Sequence, residues 1–175
     1  MHKMMGRWFE GLIDSDYHRR MRKGHKCMVY EFGRLMTTRH TTTFDVVMTY
    51  KHKSNLATKG FGYMRSSEPR NAMLAFHVST YQNIYQSGEK FWIYKVGPEG
   101  YDTFGRVQYE YAVVAHCNKR PVLVLVRNPE TFKEKFKKEV LDWLNANDFE
   151  IDSKHPITQP SYYNCFYESV TQMDG

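Results

Sequence analysis

The sequence predicts an all-β fold, a sandwich or barrel of about eight short strands, followed by one amphipathic helix. Three observations carry this reading. From residue 26 to residue 127, runs rich in aromatic and β-branched residues recur with turn residues between them. A single later segment, from residue 128, switches to helical periodicity. The longest unbroken apolar runs, residues 111–115 and 121–126, fall far short of the roughly 20 residues a membrane-crossing helix needs. A chain of 175 residues is the size of one domain. Its 13 Tyr, 11 Phe and 3 Trp supply the burial that disordered chains lack.

Residues 6–13 provide the first strand, and residues 25–36, 43–50, 61–65, 72–81, 90–96, 107–116 and 121–126 the other seven. Turn chemistry separates them: Lys53-Ser-Asn, Ser66-Ser-Glu-Pro, Gln86-Ser-Gly, Gly97-Pro-Glu-Gly and Cys117-Asn-Lys-Arg. Asn128 can then cap a helix, Pro129 suits its first position, and Glu130 complements the dipole in its first turn. Phe132, Phe136, Val140, Trp143 and Leu144 form one apolar stripe, with Lys133, Glu134, Lys135, Lys137 and Lys138 on the other face. Glu134 and Lys138 stand as an i,i+4 pair. The helix is expected over about 129–146, packed outside the sheet, with an extended tail at 147–175 carrying Pro156 and Pro160. Eight antiparallel strands followed by one α-helix is the order of an up-and-down β-barrel, with the barrel over about 6–127 and the whole chain a single domain.

The chain carries 25 Lys and Arg against 19 Asp and Glu, a formal charge of +6. That balance favours anionic partners and says nothing of fold. Residues 18–26, His-Arg-Arg-Met-Arg-Lys-Gly-His-Lys, concentrate the charge. They read as a solvated loop, or as a basic rim for an acidic head group or an anionic membrane surface. Nucleic acid is a poor partner, because no stacking platform interleaves these cations. The eight His are scattered and lack metal-site spacing, so no metal and no cofactor is expected. The start of the chain, Met-His-Lys-Met-Met-Gly-Arg-Trp, has no apolar signal core. Cys27, Cys117 and Cys165 are an odd set, consistent with one pair and one free thiol, and spacing leaves the pairing open.

Gly6-Arg-Trp8-Phe9 resembles the Gly-x-Trp signature of the lipocalins, and Val124-Leu-Val-Arg127-Asn-Pro129 resembles the Arg that ends that family's last barrel strand. Tyr109-Glu-Tyr-Ala-Val-Val-Ala-His-Cys117 is similar to the penultimate strand of the apolipoprotein D and Lazarillo branch. Gly6, Trp8 and Arg127 are the structural signature this resemblance implies, the guanidinium lying on the Trp face at the closed end of the barrel. It also implies a disulfide between Cys27 and Cys165, and with it a secreted protein. The family's Thr-Asp-Tyr signature is absent, replaced by a Gly-rich connection over 95–106. Branch members hold a further Cys upstream that would pair with Cys117, which has no such partner here.

The resemblance implies binding and transport of a small hydrophobic ligand: a fatty acid, sterol, retinoid or similar molecule. By the same alignment Phe91, Ile93, Ala112, Val114, Leu123 and Leu125 face the lumen, with His116 as a polar ligand contact. Phe91, Tyr94, Tyr109 and Tyr111 are the aromatics expected to limit the cavity's depth. Two other functions compete. One is an extracellular matrix or receptor-binding module with an incidental cavity. The other is a prostaglandin-type isomerase with Cys27 as thiolate nucleophile, activated by His25, Lys26 and Lys23. The expectation is a binding protein and not an enzyme.

Overall fold

The computed structural model describes residues 2–21, 24–39, 41–51, 57–66, 73–79 and 89–165, with 57–66 and 73–79 defined by their backbone. After one 3-10 turn (His2–Met4), the chain forms β1 (Gly6–Asp14), α1 (Ser15–Met21), β2 (Lys26–Thr37), β3 (Thr42–Lys51), β4 (Ala57–Ser66), β5 (Met73–Ser79) and β6 (Glu89–Val96). It continues through β7 (Glu99–Tyr101), β8 (Val107–Tyr109), β9 (Tyr111–Ala115) and β10 (Val122–Val126). Next comes one helical run: α2 (Pro129–Thr131), a π-helical stretch (Phe132–Phe136) and α3 (Lys137–Ala146), followed by β11 (Ile157–Thr158).

Hydrogen-bonded neighbours run β10-β9-β6-β5-β4-β3-β2-β1-β11, all antiparallel, and the sheet curls so that β10 also pairs with β1 from Phe9↔Val126 to Ile13↔Leu123. Consecutive strands are therefore neighbours, except that β7 and β8 form a separate hairpin between β6 and β9 and that β11 pairs with β1. Alternation divides the sheet into two faces. The inner face gathers Trp8, Ile13, Met28, Tyr30, Phe32, Phe44, Val46 and Met48 with Ala112, Val114, Leu123 and Leu125. The outer face of β9 and β10, Tyr111, Val113, Val122, Val124 and Val126, packs with Phe132, Val140, Leu144 and Phe149. The helix therefore lies outside the sheet, as its stripe predicts.

Its start also follows the sequence. Asn128 is extended (φ −136°), and its side-chain oxygen accepts from the backbone N–H groups of Glu130 (3.0 Å) and Thr131 (2.9 Å). At the other end Asp148 adopts φ +55°, and Phe149 N–H donates to the Leu144 carbonyl, folding Phe149 back under the helix.

Three sequence expectations need correction. The run 107–116 is not one strand. It breaks at Glu110, whose N–H donates to Pro98 and whose carbonyl accepts from Arg127, so that residues 107–109 join the hairpin and residues 111–115 the main sheet. The basic segment is not wholly loop. Asp14 caps α1, its Oδ1 accepting from the N–H groups of Asp16 (3.0 Å) and Tyr17 (3.1 Å), which draws His18, Arg19 and Arg20 into a helix. Arg22 and Lys23 lie outside the described residues. Finally, Lys138 pairs with Asp142 and not with Glu134, which sits in the π-helical stretch where the wider turn shifts i,i+4 neighbours out of line.

Candidate functional site

One end of the inner face is sealed by Arg127. Its guanidinium carbon lies 3.6 Å from the Trp8 ring centre. Nη1 donates to the Arg7 carbonyl (2.7 Å), Nη2 to the carbonyls of Lys3 (3.0 Å) and Met5 (2.8 Å), and Nε to that of Tyr109 (3.2 Å). Trp8 Nε1 donates in turn to Met4 (2.6 Å). Burial lowers the Arg127 pKa to about 10 against the pull of Glu110, Asp102 and Glu31, so it remains a cation at neutral pH. Gly6 adopts φ +92°, the left-handed region that favours glycine. This end is a floor, with the Phe32 ring tilted against both Trp8 (centroids 6.5 Å apart) and Phe44 (5.2 Å).

The seven residues that the sequence nominates for ligand contact fall on one side of the inner face. Ala112 pairs with Leu125 and Val114 with Leu123 across β9 and β10, and Ile93 pairs with Val114 across β6 and β9. Ala112, Val114, Leu123 and Leu125 are buried, and half-buried Ile93 packs against them. Leu125 and Ala112 sit nearest the Arg127 floor, while Leu123 and Val114 sit nearer the opposite end. There Phe91, buried on β6, meets the His116 ring edge-on at 4.6 Å.

Two of the four aromatics expected to narrow the lumen turn the other way. Tyr94 packs on Phe149 and donates its hydroxyl to the His116 carbonyl (3.0 Å). Tyr111 packs on Phe132 and Phe136 and donates to Glu139 (2.8 Å), its pKa pushed up by burial and then by that carboxylate. Each occupies the opposite parity to an inward neighbour, Ile93 and Ala112, and so belongs to the helix interface.

Beyond His116 a cavity of about 490 Å³ opens at the α1 end, lined by Asp14, Asp16, Tyr17, Arg20, His116, Arg120, Pro121 and His155. Tyr17 also packs against the inner core, so cavity and core adjoin. Arg120 Nη1 forms an ion pair with Asp14, and its Nη2 donates to the carbonyls of Glu150 (3.0 Å) and His155 (3.3 Å). This one side chain fastens the turn between β9 and β10 to the end of β1 and to the C-terminal segment.

Sequence reasoning overlooked several of these groups. The partners Asp14 and Arg120 are 106 residues apart, and no local pattern joins them. Glu10 is 2% exposed, and the Tyr30 hydroxyl donates to its carboxylate (2.7 Å). A strand position two residues after Trp8 carries the only available hint that it faces inward. The alternation of Phe44, Val46 and Met48 along β3 did hold a readable signal for the inner face.

Cys27 and Cys165 are joined in a disulfide, with Cα atoms 5.5 Å apart and 138 residues between them in sequence. A bridged sulfur offers no thiolate, so Cys27 is not available as a nucleophile in this state. Cys117 is an exposed free thiol. Among the described residues no three His, Cys, Asp or Glu side chains stand close enough to hold a metal ion.

A family model described as a lipocalin domain matches residues 1–161. No curated protein matches the chain. Among solved structures the fold is similar to Japanin from Rhipicephalus appendiculatus bound to cholesterol, at 12% identity and a TM-score of 0.51, covering 92% of this chain and 96% of that one.

Proposed function

Because the chain belongs to the lipocalin family, whose domain model spans residues 1–161, we propose that it binds and carries a small hydrophobic molecule without chemically altering it. The observation that carries this reading is the inner face: apolar from the Trp8–Arg127 floor upward apart from the Tyr30–Glu10 hydrogen bond, and adjoining a cavity of about 490 Å³ at the other end. That size lies within the range of small-molecule sites, and a few polar groups at one end of an apolar surface can fix a ligand's orientation. Phe91, Ile93, Ala112, Val114, Leu123 and Leu125 supply the apolar contact, and His116 the polar one. The solved relative is bound to cholesterol, which supports a sterol-sized ligand here as one member of the hydrophobic class.

A ligand hiding about 400 Å² of apolar surface gains roughly 10 kcal/mol. After association costs of several kcal/mol, tens-of-micromolar affinity or better remains. The Cys27–Cys165 bridge supports an oxidising, extracellular setting and a place in the apolipoprotein D and Lazarillo-like branch. Residues 1–175 act as one domain in this account.

The test is uptake of a fluorescent retinoid or fatty alcohol by delipidated protein, beside Leu123→Trp. Leu123 is 9% exposed on the inner face, so the indole fills the space a ligand needs. Wild type should bind at tens of micromolar or tighter, and the variant at least tenfold more weakly with unchanged far-UV circular dichroism. A wild type that takes up no probe refutes the carrier reading. A second reading, docking to a matrix or receptor protein, draws on the exposed Tyr101 (76%) and Phe104 (69%) of the β7–β8 hairpin. It gains if Tyr101→Ser with Phe104→Ser abolishes cell-surface binding while probe uptake persists.

A further inference from the structure

The positive charge of the chain is unevenly placed. At the Trp8–Arg127 end, cations are matched by acids: Lys3 by Glu99, Arg7 by Glu31 and Arg106 by Asp102. At the α1 end, Arg19 and Arg20 share one carboxylate, Asp16, with Arg20 only 4.0 Å away, and their side chains are 77% and 75% exposed. Lys26, at the start of β2, stands opposite Lys51, at the end of β3, in the strand register. Like charges placed directly across two strands are destabilising. Helix and strand pair are neighbours. His18 of α1 lines a cavity of about 410 Å³ together with His25 and Lys26, and the His25 ring stacks on Tyr50 at 4.3 Å, beside Lys51. The one carboxylate in the described lining of that cavity, Glu10, is 2% exposed and accepts from the Tyr30 hydroxyl. Elsewhere at this end Arg120 is matched by Asp14 and Lys119 lies 3.9 Å from Asp148, which confines the excess to α1, β2 and β3. In sequence, residues 15–26 and 51 hold six Lys and Arg against one Asp, in a chain whose whole excess is +6.

A cation cluster of this kind attracts a polyanion. An anionic bilayer would add apolar insertion to charge, and its grip grows with the apolar area it takes up. Among the described residues the large exposed apolar side chains are Met36, Val96, Tyr101, Phe104, Val107 and Tyr163. All but Tyr163 belong to strand ends or the hairpin at the Trp8–Arg127 end, away from the cluster. Anionic lipid is moreover concentrated in the cytoplasmic leaflet, whereas the Cys27–Cys165 bridge supports an extracellular setting. A sulfated polysaccharide needs no apolar contact. It is hydrated, repeats its charge along the chain, and its sulfate oxygens accept from guanidinium and ammonium groups as phosphate oxygens do.

We propose that Arg19 and Arg20 of α1, with Lys26 and Lys51 across β2 and β3, form a docking surface for an extracellular sulfated polysaccharide. A sulfate between Lys26 and Lys51 relieves their repulsion, and neighbouring sulfates take the two guanidiniums. The proposal rests on the extracellular setting inferred above and is independent of what the inner face binds.

The experiment uses heparin as the probe. Wild type should elute from immobilised heparin at higher salt than from a sulfopropyl resin at the same neutral pH, because ordered sulfates match the cluster and scattered sulfonates read net charge alone. In solution, Lys26→Gln with Lys51→Gln should weaken heparin about tenfold, the scale of losing one or two charge-assisted hydrogen bonds. Arg19→Gln with Arg20→Gln should do the same, and either pair decides the matter if the other misfolds by circular dichroism. Lys133→Gln with Lys135→Gln removes equal charge from the exposed face of the helical run and should leave heparin binding within about twofold. Elution from heparin no later than from the sulfopropyl resin overturns the proposal. So does equal weakening by the helical pair, which would mean that net charge alone acts. Heparin binding untouched in the folded cluster variants overturns it too, as does cluster-dependent binding to phosphatidylserine-containing vesicles that heparin fails to displace. Fluorescent-probe uptake, measured on the same proteins, should be the same in all of them, so loss of that uptake in wild type counts against the carrier reading and not against this surface.

Discussion

Gly11 lies where β1 passes beneath the C-terminal helix, and the missing side chain is what lets the two meet. A Cβ there would stand 2.4 Å from Val126 Cγ1 and 3.2 Å from two atoms of the Phe132 ring, all within the buried outer cluster. Gly11→Ala should therefore destabilise the fold by about 1–3 kcal/mol, the cost of overpacking a close-fitted core, measured as a lower urea midpoint at constant slope. An unchanged midpoint would mean that helix and strand are not held in this contact. Asp102 gives a second single-residue test. Its Oδ1 accepts from the N–H groups of Phe104 (2.9 Å) and Arg106 (2.8 Å), and its Oδ2 from Arg106 Nε (2.7 Å). The backbone bond from Arg106 is the largest cause holding its pKa below the ordinary 3.8. A carboxyl with a depressed folded pKa stabilises above its unfolded value, and that support is lost as pH falls through the folded one. The amide resonances of Phe104 and Arg106 should thus titrate with a midpoint below the ordinary 3.8. A midpoint above 3.8 contradicts the hydrogen bonds assigned to this turn.

At the scale of elements, the tail is pinned to the sheet by two independent devices. β1 and β2 pair only from Gly6↔Phe32 to Phe9↔Val29. Just beyond, the Tyr162 hydroxyl takes up both strands, accepting from Glu10 N–H (2.7 Å) and lying 3.1 Å from the Met28 carbonyl. The Cys27–Cys165 bridge locks that arrangement across 138 residues. Replacing both cysteines by Ser should cost about 2–5 kcal/mol of unfolding free energy, and reductant should lower wild type to the same level. A loss below about 1 kcal/mol would show that Tyr162 and β11 hold the tail unaided. The same scale explains what the sequence could reveal. Strands and helix were legible because each is encoded locally, by alternation in Phe44, Val46 and Met48 or by Asn128-Pro129-Glu130 before an apolar stripe. Leu123 and Leu125 on β10 were legible because Arg127 sets the parity of that strand, whereas Ala112 and Val114 on β9 were reached only through the family resemblance. α1 was not legible, since residues 15–21 carry no extended apolar stripe and the cap, Asp14, stands directly after the predicted first strand, where it reads as a turn residue. Nor was the cavity, because Asp14, His116, Arg120 and His155 meet only through long-range closure of the sheet. The break at Glu110 was hidden in a run that alternates perfectly well as one strand.

For the whole molecule, the question is whether a ligand on the inner face reports on the entire fold. The helix shares the outer cluster with β9 and β10, the tail is bonded to β1 and β2, and Arg120 joins the cavity's turn to β1 and to the C-terminal segment. Sheet, helix and tail should therefore unfold together, as one transition seen alike by tryptophan fluorescence and far-UV circular dichroism. Anything bound only by the folded state then stabilises all of it. At a free concentration one hundred times its dissociation constant, a ligand adds about 2.7 kcal/mol. For a chain of this length that corresponds to a rise in melting temperature of roughly 5–10 °C. Delipidated wild type titrated with hexadecanol should show this rise in both probes. Leu123→Trp, with its lumen filled, should show a much smaller one at the same concentration. If fluorescence and circular dichroism part company on adding ligand, the helix or tail melts as a separate unit. If binding is measurable but the melting temperature does not move, the ligand sits on a surface that persists in the unfolded chain, and the inner face is not its site.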